Sequence, residues 1–465
     1  MSFVKSASRL FLFLMAFSFS TQNLLASNLW QNLKSVTSKT PELSTRNSPR
    51  LEKPSALSPA NSPSGTPGKE DFKPVPKDSI AAATSYSCFL SADNFPLCWG
   101  EGRPLQKIPV TDTASVAIGL VSQADPLGHS HMNFTSACAV KKNGALWCWS
   151  PYPEKAPQPI VGLEDIRQVS IGIYKSCALN REGKVFCWDS IEKPPTQEGP
   201  NDVKKIVVGS QACALKRDGT VWCWGYNQHG QLGNGTVSEG ESPTPTQVFG
   251  NGFPGEIVDI AVSYDSACAL DKTGRVWCWG DGKAGQLGNG AYEDEAQPVL
   301  AKINDVQSIA GGVHWNDAYG QGESYSRFCA VKSDRALWCW GFNYGDLGEL
   351  SESADSVLQH RDSIGLGEGL DNFMKKYQGD IFRAIPVPVR SAKDVVAVGL
   401  GAKHTCLQDL QDDVYCWGWN GMGQLGASFS ETGPVVSVPR KVDFVEMKMR
   451  ELQVPNALGL KPDSD

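Results

Sequence analysis

Beyond residue 26 the chain contains no apolar run approaching 18 residues, so no later segment can serve as a membrane-spanning helix. It also lacks any surplus of positive charge. The 43 Lys and Arg stand against 50 Asp and Glu, a net charge of −7. An acidic chain gains nothing from releasing counterions on a phosphate backbone, which excludes nucleic acid as an expected partner. Histidine is scarce, with six in all, and neither a Gly-x-Ser-x-Gly nucleophile elbow nor a His-Glu-x-x-His pair occurs. That removes the commonest hydrolase signatures. It leaves a carboxylate-based hydrolase or lyase acting on a polysaccharide or cell-envelope substrate as the enzymatic alternative to a binding protein. The reading favoured is not an enzyme, and no cofactor is expected.

What is present begins with Lys5 and Arg9, an apolar stretch over 10–19, and Leu24-Leu25-Ala26. This pattern reads as a secretory signal over 1–26. The residue immediately after Ala26 is Ser27 and not cysteine, so a lipid-attachment site is not expected. Removing the segment takes away two positive charges and no negative ones, moving the net charge to −9. Residues 27–78 are rich in Ser, Pro, Thr and Asn, with too few large apolar side chains to offset ordering entropy, and read as a disordered linker. The expected product is secreted, extracellular or periplasmic, and monomeric.

From residue 79 the chain changes. Its fourteen cysteines fall in seven pairs, each partner ten residues on: Cys88 and Cys98, Cys138 and Cys148, Cys177 and Cys187, Cys213 and Cys223, Cys268 and Cys278, Cys329 and Cys339, and Cys406 and Cys416. Structural zinc sites favour two to four intervening residues, so no metal is expected here; an oxidising compartment makes disulfides the natural state. Each pair brackets a hairpin, clearest in the run from Cys213 to Cys223. A two-residue turn at Asp218-Gly219 would set Cys213 against Trp224. A three-residue loop, Arg217-Asp218-Gly219, with Gly in the left-handed slot, sets it against Cys223. The slot holds Gly144, Gly183, Gly219 and Gly274, with Asn94 in the first copy. Arg335 and Asp412 occupy it in the last two, where a different turn is expected.

Strand alternation places each second cysteine on one face and its two neighbours on the other, as with Trp222 and Trp224, or Trp277 and Trp279. Both faces are then apolar, and such sheets must stack on copies of themselves; a radial ring is the closed solution. The expected fold is all-β, a seven-bladed β-propeller over 79–450 with one intra-hairpin disulfide per blade, and a tail over 451–465. A short buried strand precedes most hairpins, as in Val203 to Val208. The copy at Ile80-Ala81-Ala82-Ala83 is poor, whereas Phe444 to Met449 is a good copy with no hairpin after it. The C-terminal strand is therefore expected to complete the first blade and close the ring.

The hairpins end in Trp-Cys-Trp-Gly and are followed by Gly230-Gln231-Leu232-Gly233, Gly285-Gln286-Leu287-Gly288, Gly345-Asp346-Leu347-Gly348 and Gly423-Gln424-Leu425-Gly426. In this the chain resembles the regulator of chromosome condensation repeat family over about 79–450. The resemblance implies seven four-stranded antiparallel blades. Gly100-Glu101-Gly102-Arg103, Ser150-Pro151-Tyr152-Pro153 and Asp189-Ser190-Ile191-Glu192 depart from the motif, implying altered outer loops in the first three blades. Nuclear members promote nucleotide exchange on a small GTPase, which does not fit a signal peptide; secreted members include a protein inhibitor of β-lactamase, the nearer functional analogy. The Gly-Gln-Leu-Gly loops carry no lysine and no following helix, so they do not read as phosphate cradles.

If the four strands a to d of a blade alternate in direction, the a–b and c–d loops share one face and the tight b–c turns the other. Three long insertions, 120–137, 313–328 and 342 to about 390, fall in a–b or c–d positions. Phe134, Trp315, Tyr319, Tyr325, Phe342 and Tyr344 on them are candidate anchors for a protein partner. Between Asp346 and Asp371 seven acids, Asp355 among them, stand against Arg361 alone, which points to a partner with a basic patch. The bland alternative is that the aromatics pack their own loops and the acids are merely solvated. His129 and His131 have a spacing that could ligate a metal, but they read as a solvated pair in a polar loop.

Overall fold

The computed structural model describes residues 79–444 except 84, 125–130, 153, 190–192, 251, 313–314, 317–322, 325, 344–378, 380 and 427–434. The signal, the linker and the tail expected from the sequence lie outside the described residues. The strands all belong to the unit formed by 73–465.

Seven four-stranded antiparallel sheets succeed one another along the chain, over 80–107, 113–159, 166–198, 203–247, 257–300, 306–388 and 395–441. Each runs a to d in sequence order, with a innermost. The cysteines of every blade oppose one another across strands b and c, as the ten-residue spacing requires. Seven disulfides result: Cys88 with Cys98, Cys138 with Cys148, Cys177 with Cys187, Cys213 with Cys223, Cys268 with Cys278, Cys329 with Cys339, and Cys406 with Cys416. Their Cα–Cα separations are 4.0–4.2 Å, and all fourteen residues are buried.

The three-residue loop is as expected: the Lys216 N–H donates to the Thr220 carbonyl at 2.9 Å and Gly219 has φ +82°. The last two turns do not differ, contrary to expectation. Arg335 and Asp412 adopt φ +64° and +62° in the same slot, with the same closing bonds, Lys332 N–H to Ala336 O and Asp409 N–H to Asp413 O at 3.0 Å each. The disulfide and the strand register hold these turns against a backbone preference of about 1–2 kcal/mol.

The seven a strands converge on an axial channel of about 270 Å³. There the backbones come so close that small residues are needed: a Cβ on Gly399 of the last blade would lie 3.1–3.3 Å from the backbone of Ala81 and Ala82. This corrects the expectation for the ring's closure. Ile80–Ala83 pairs with Tyr86–Leu90 as the inner strand of blade 1, and its alanines suit the crowded axis. The first blade thus supplies all four of its own strands, and the ring closes by packing. Ile80, Trp99 and Leu105 of blade 1 share a core with Ala397, Val414 and Leu425 of blade 7, and Phe444 stacks on Phe89 at 5.8 Å.

Two kinds of ligament join the blades. On the b–c face, the first N–H of strand a donates to the last turn carbonyl of the preceding hairpin: Thr113 to Asn94, Ile166 to Gly144, Val203 to Gly183, Val306 to Gly274 and Val395 to Arg335, at 2.9–3.2 Å. On the other face the Gly-Gln-Leu-Gly loop of one blade holds the second Trp of the next. Trp279 Nε1 donates to the Gln231 carbonyl at 3.0 Å, Trp340 to Gln286 at 2.8 Å, and Trp99 to Gln424 at 2.8 Å across the closure. The loop leucines, Leu232, Leu287 and Leu425, are buried. Glycine is required at the motif's end because a Cβ on Gly233, whose φ is +66°, would meet the Trp279 indole at 2.7 Å.

Candidate functional site

The strand order places the a–b and c–d loops on one face. The described insertions there are built extensions. Strands a and b of blade 2, Thr113–Ala124 and His131–Lys141, continue as a ladder out to the pair Ala124 and His131. In blade 6, Trp315–Asn316 pairs with Glu323–Ser324. Phe134 lies on the first ladder opposite Val121, and Trp315 on the second opposite Ser324. Tyr319, Tyr325, Tyr344, Asp346, Asp355 and His129 lie outside the described residues.

Phe342 is corrected. It belongs to strand c of blade 6, is 1 % exposed, and packs on Phe382 at 5.6 Å, so it holds the base of the insertion and is not a surface anchor. Its place next to the Trp-Cys-Trp-Gly run was the available signal. The insertion proper spans 344–378, and its ends are already adjacent: the Asn343 N–H donates to the Ile381 carbonyl at 2.7 Å.

A cluster that sequence reasoning missed occupies the same face at blades 3 to 5. Tyr174, from the a–b loop of blade 3, lies 4.7 Å in ring-centroid distance from Tyr226 at the end of strand c in blade 4. Its hydroxyl meets that of Tyr264, from the a–b loop of blade 5, at 3.1 Å. Burial pushes the acidity of both phenols down, raising their pKa. Lys175 beside them is shared by Glu198 and Glu241 at 3.2 and 3.3 Å.

The Gly-Gln-Leu-Gly loop positions the next group. Buried Gln231 accepts the His229 N–H on Oε1 at 2.9 Å and donates from Nε2 to Asp265 Oδ1 at 2.9 Å; Ser210 Oγ donates to the same oxygen at 2.6 Å. This fixes His229 against blade 5, where its Nδ1 lies 2.9 Å from Asp294 Oδ2. Asp281, two residues past Trp279, completes the group: one donor atom from each of His229, Asp281 and Asp294 lies within 4.8 Å of the others. Burial first, and the neighbouring Asp294 charge second, raise the Asp281 carboxyl to about 7. For Asp294 burial pulls upward, but the hydrogen bonds from His229 and the Gly282 N–H prevail and hold it low. The Asp294 hydrogen bond in turn raises His229. Of these residues the sequence offered only their positions beside repeat motifs.

The regulator of chromosome condensation (RCC1) repeat matches residues 218–270 and 273–315, and a second version of the same repeat matches 203–231, 257–286 and 395–424. Residues 203–315 and 395–424 are thus RCC1-repeat-like. The RCC1 matches fall on blades 4, 5 and 7 and the first strand of blade 6, and on none of the first three blades. Among curated proteins, human RCC1 domain-containing protein 1 is 29 % identical over 212 residues, covering 42 % of this chain and 52 % of the relative. Human protein RCC2 is 29 % identical over 228 residues, 47 % of this chain and 40 % of the relative. The chain thus spans about half the length of these relatives or less. Among solved structures, Prp20p from Saccharomyces cerevisiae, described with its binding properties to Gsp1p and histones, superposes with TM-score 0.50 at 17 % identity, covering 69 % of this chain and 80 % of that one. A chain in the structure of Kap60 bound to yeast RCC1 (Prp20) gives 0.55 at 16 %, covering 86 % and 91 %. At such identities the likeness is one of fold.

Proposed function

We propose that this chain is an exported propeller scaffold that binds a protein partner through the face bearing its a–b and c–d loops, and that it is a binder and not an enzyme. The carrying observation is the asymmetry of the disc. All three long insertions leave from that face, whereas the opposite face consists of short turns tied by backbone bonds to the following blade. A rigid ring that presents extended loops on one side meets the requirement of recognition, a preorganised surface of variable shape. The protein partners of the Prp20 propeller, Gsp1p, histones and Kap60, support the same reading. Export rests on the charged and apolar pattern of residues 1–26. The acids of 346–371 favour a partner surface carrying basic groups.

The test is comparative. Partners are captured from the cell envelope and medium with the full mature chain, purified, and titrated against two variants. In one, 344–378 is replaced by a short Gly-Ser turn, which the adjacency of Asn343 and Ile381 allows. In the other, Arg217→Glu and Lys272→Glu alter the b–c face. Loop replacement should weaken binding roughly tenfold or more while the second variant binds unchanged. Equal binding by all three forms, or loss in the b–c variant alone, removes the proposal.

A further inference from the structure

We infer that His229, Asp281 and Asp294 form a binding site for a single divalent transition-metal ion of the zinc class, bridging blades 4 and 5. The three side chains come from two repeats, 52 and 13 residues apart, and one donor atom of each lies within 4.8 Å of the other two. That spread is wider than that of ligands around one zinc ion, which stand roughly 3.3–3.6 Å apart at bond lengths of about 2.0–2.2 Å, so a bound ion would draw the three donors together by side-chain rotations. An imidazole in the set selects against calcium and magnesium, which prefer oxygen alone.

A second observation concerns Asp281 separately. It is 5 % exposed, it makes no ion pair among the described residues, and its carboxylate accepts one backbone N–H, that of Lys283 on Oδ1 at 3.1 Å. A buried carboxylate turned to a second carboxylate is stabilised by a positive charge between them, a metal ion or a proton. The basic groups near the site serve Asp294: His229 Nδ1 at 2.9 Å and Lys283 Nζ at 3.5 Å, the latter on a side chain 59 % exposed and free to swing away. The fold does not demand these residues. Counting from the Trp-Gly of each motif, blades 4 and 7 place Tyr226 and Trp419 where blade 5 has Asp281, and blades 5 and 7 place Ala284 and Met422 where blade 4 has His229. The three donors meet at this junction and at no other described Gly-Gln-Leu-Gly junction. Side-chain exposures of 26 % for His229 and 29 % for Asp294 leave one side open to solvent, so a fourth position would be taken by water or by an acidic or imidazole group from a partner. Metal binding here does not depend on the partner-binding role proposed above.

The experiment uses the mature disulfide-bonded chain, free of affinity tag and stripped with chelator. All fourteen cysteines are paired, so no thiol competes for metal. Zn2+ is titrated by calorimetry and Co2+ by its visible absorption. One equivalent of each should bind, with Co2+ bands typical of nitrogen and oxygen ligands, and Asp281→Asn and His229→Gln should each weaken binding roughly 100-fold. Asp281→Asn should leave the melting temperature of the metal-free chain unchanged or higher, which separates loss of a ligand from loss of fold. Binding equal in the parent and both variants, or no saturable binding in a parent that melts normally, overturns the assignment; in the latter case a proton shared by the two carboxyls holds the group together.

Discussion

Blades 1 to 3 and blades 4 to 7 share one hairpin and differ in how they are tied to their neighbours. Every blade has the same opposed cysteines and the same left-handed turn slot. In blades 4, 5 and 7 the loop after the second Trp folds back so that its Gln carbonyl receives the indole N–H of the following blade. Blade 3 instead offers the Glu198 carboxylate to Trp224 at 3.4 Å, and its outer strand is only Thr196–Glu198. The b–c face compensates. The backbone ligaments cover the junctions from blade 1 through blade 4, the stretch without Gly-Gln-Leu-Gly, and recur at 5 to 6 and 6 to 7. The junctions from 4 to 5 and from 7 to 1, where no such bond is described, carry the Trp ligament. A ring of repeats tolerates loss of one connecting device where the other persists.

The largest effect that would break this contrast is at glycine. Gly233 and Gly162 both have positive φ, but a Cβ meets the Trp279 indole and Val248 at the first and nothing within 4 Å at the second. Gly233→Ala should cost about 3 kcal/mol or more and Gly162→Ala about 1 kcal/mol, read from urea denaturation of the disulfide-bonded chain. Similar costs would mean the loop does not seat the indole. Next is the indole N–H. Trp279→Phe should cost about 2 kcal/mol through lost ring volume and a stranded Gln231 carbonyl, whereas Trp188→Phe in blade 3, whose indole makes no described hydrogen bond, should cost about 1 kcal/mol. Parity between the two would place the effect in ring volume alone. The smallest change tests the feature the two halves share. Arg335→Gly should stabilise by about 1 kcal/mol by relieving a positive φ, and Asn94→Gly by less, because asparagine tolerates that region. A destabilised Arg335→Gly would show that the arginine side chain holds the turn.

Much of this architecture is written locally. The ten-residue cysteine spacing sets the loop length once direct opposition is required, and the bridges from Cys88 to Cys98 through Cys406 to Cys416 all obey it. The Trp-Cys-Trp alternation makes both faces apolar, which leads to stacking. The error at the ring's closure came from judging Ile80-Ala81-Ala82-Ala83 by side-chain size. At the axis neighbouring strands nearly touch, and small residues pack best there. The error at Arg335 and Asp412 came from treating turn chemistry as decisive where register and a disulfide outweigh it. Phe342 was placed one residue too far along, in the loop and not in the strand, because the Gly that closes the Trp-Cys-Trp-Gly run reads as the strand's end although strand c runs one residue past it.

By itself the sequence determined the seven hairpins, their pairing register and the need for a radial stack, because period-two alternation and fixed loop length act between residues close along the chain. The tertiary structure alone decided which side chains of different repeats meet: the indole on the preceding loop's carbonyl, Phe444 on Phe89, and His229 with Asp281 and Asp294. Those meetings depend on the stagger and approach of neighbouring blades, quantities set by packing across the junction and carried by no spacing within a repeat.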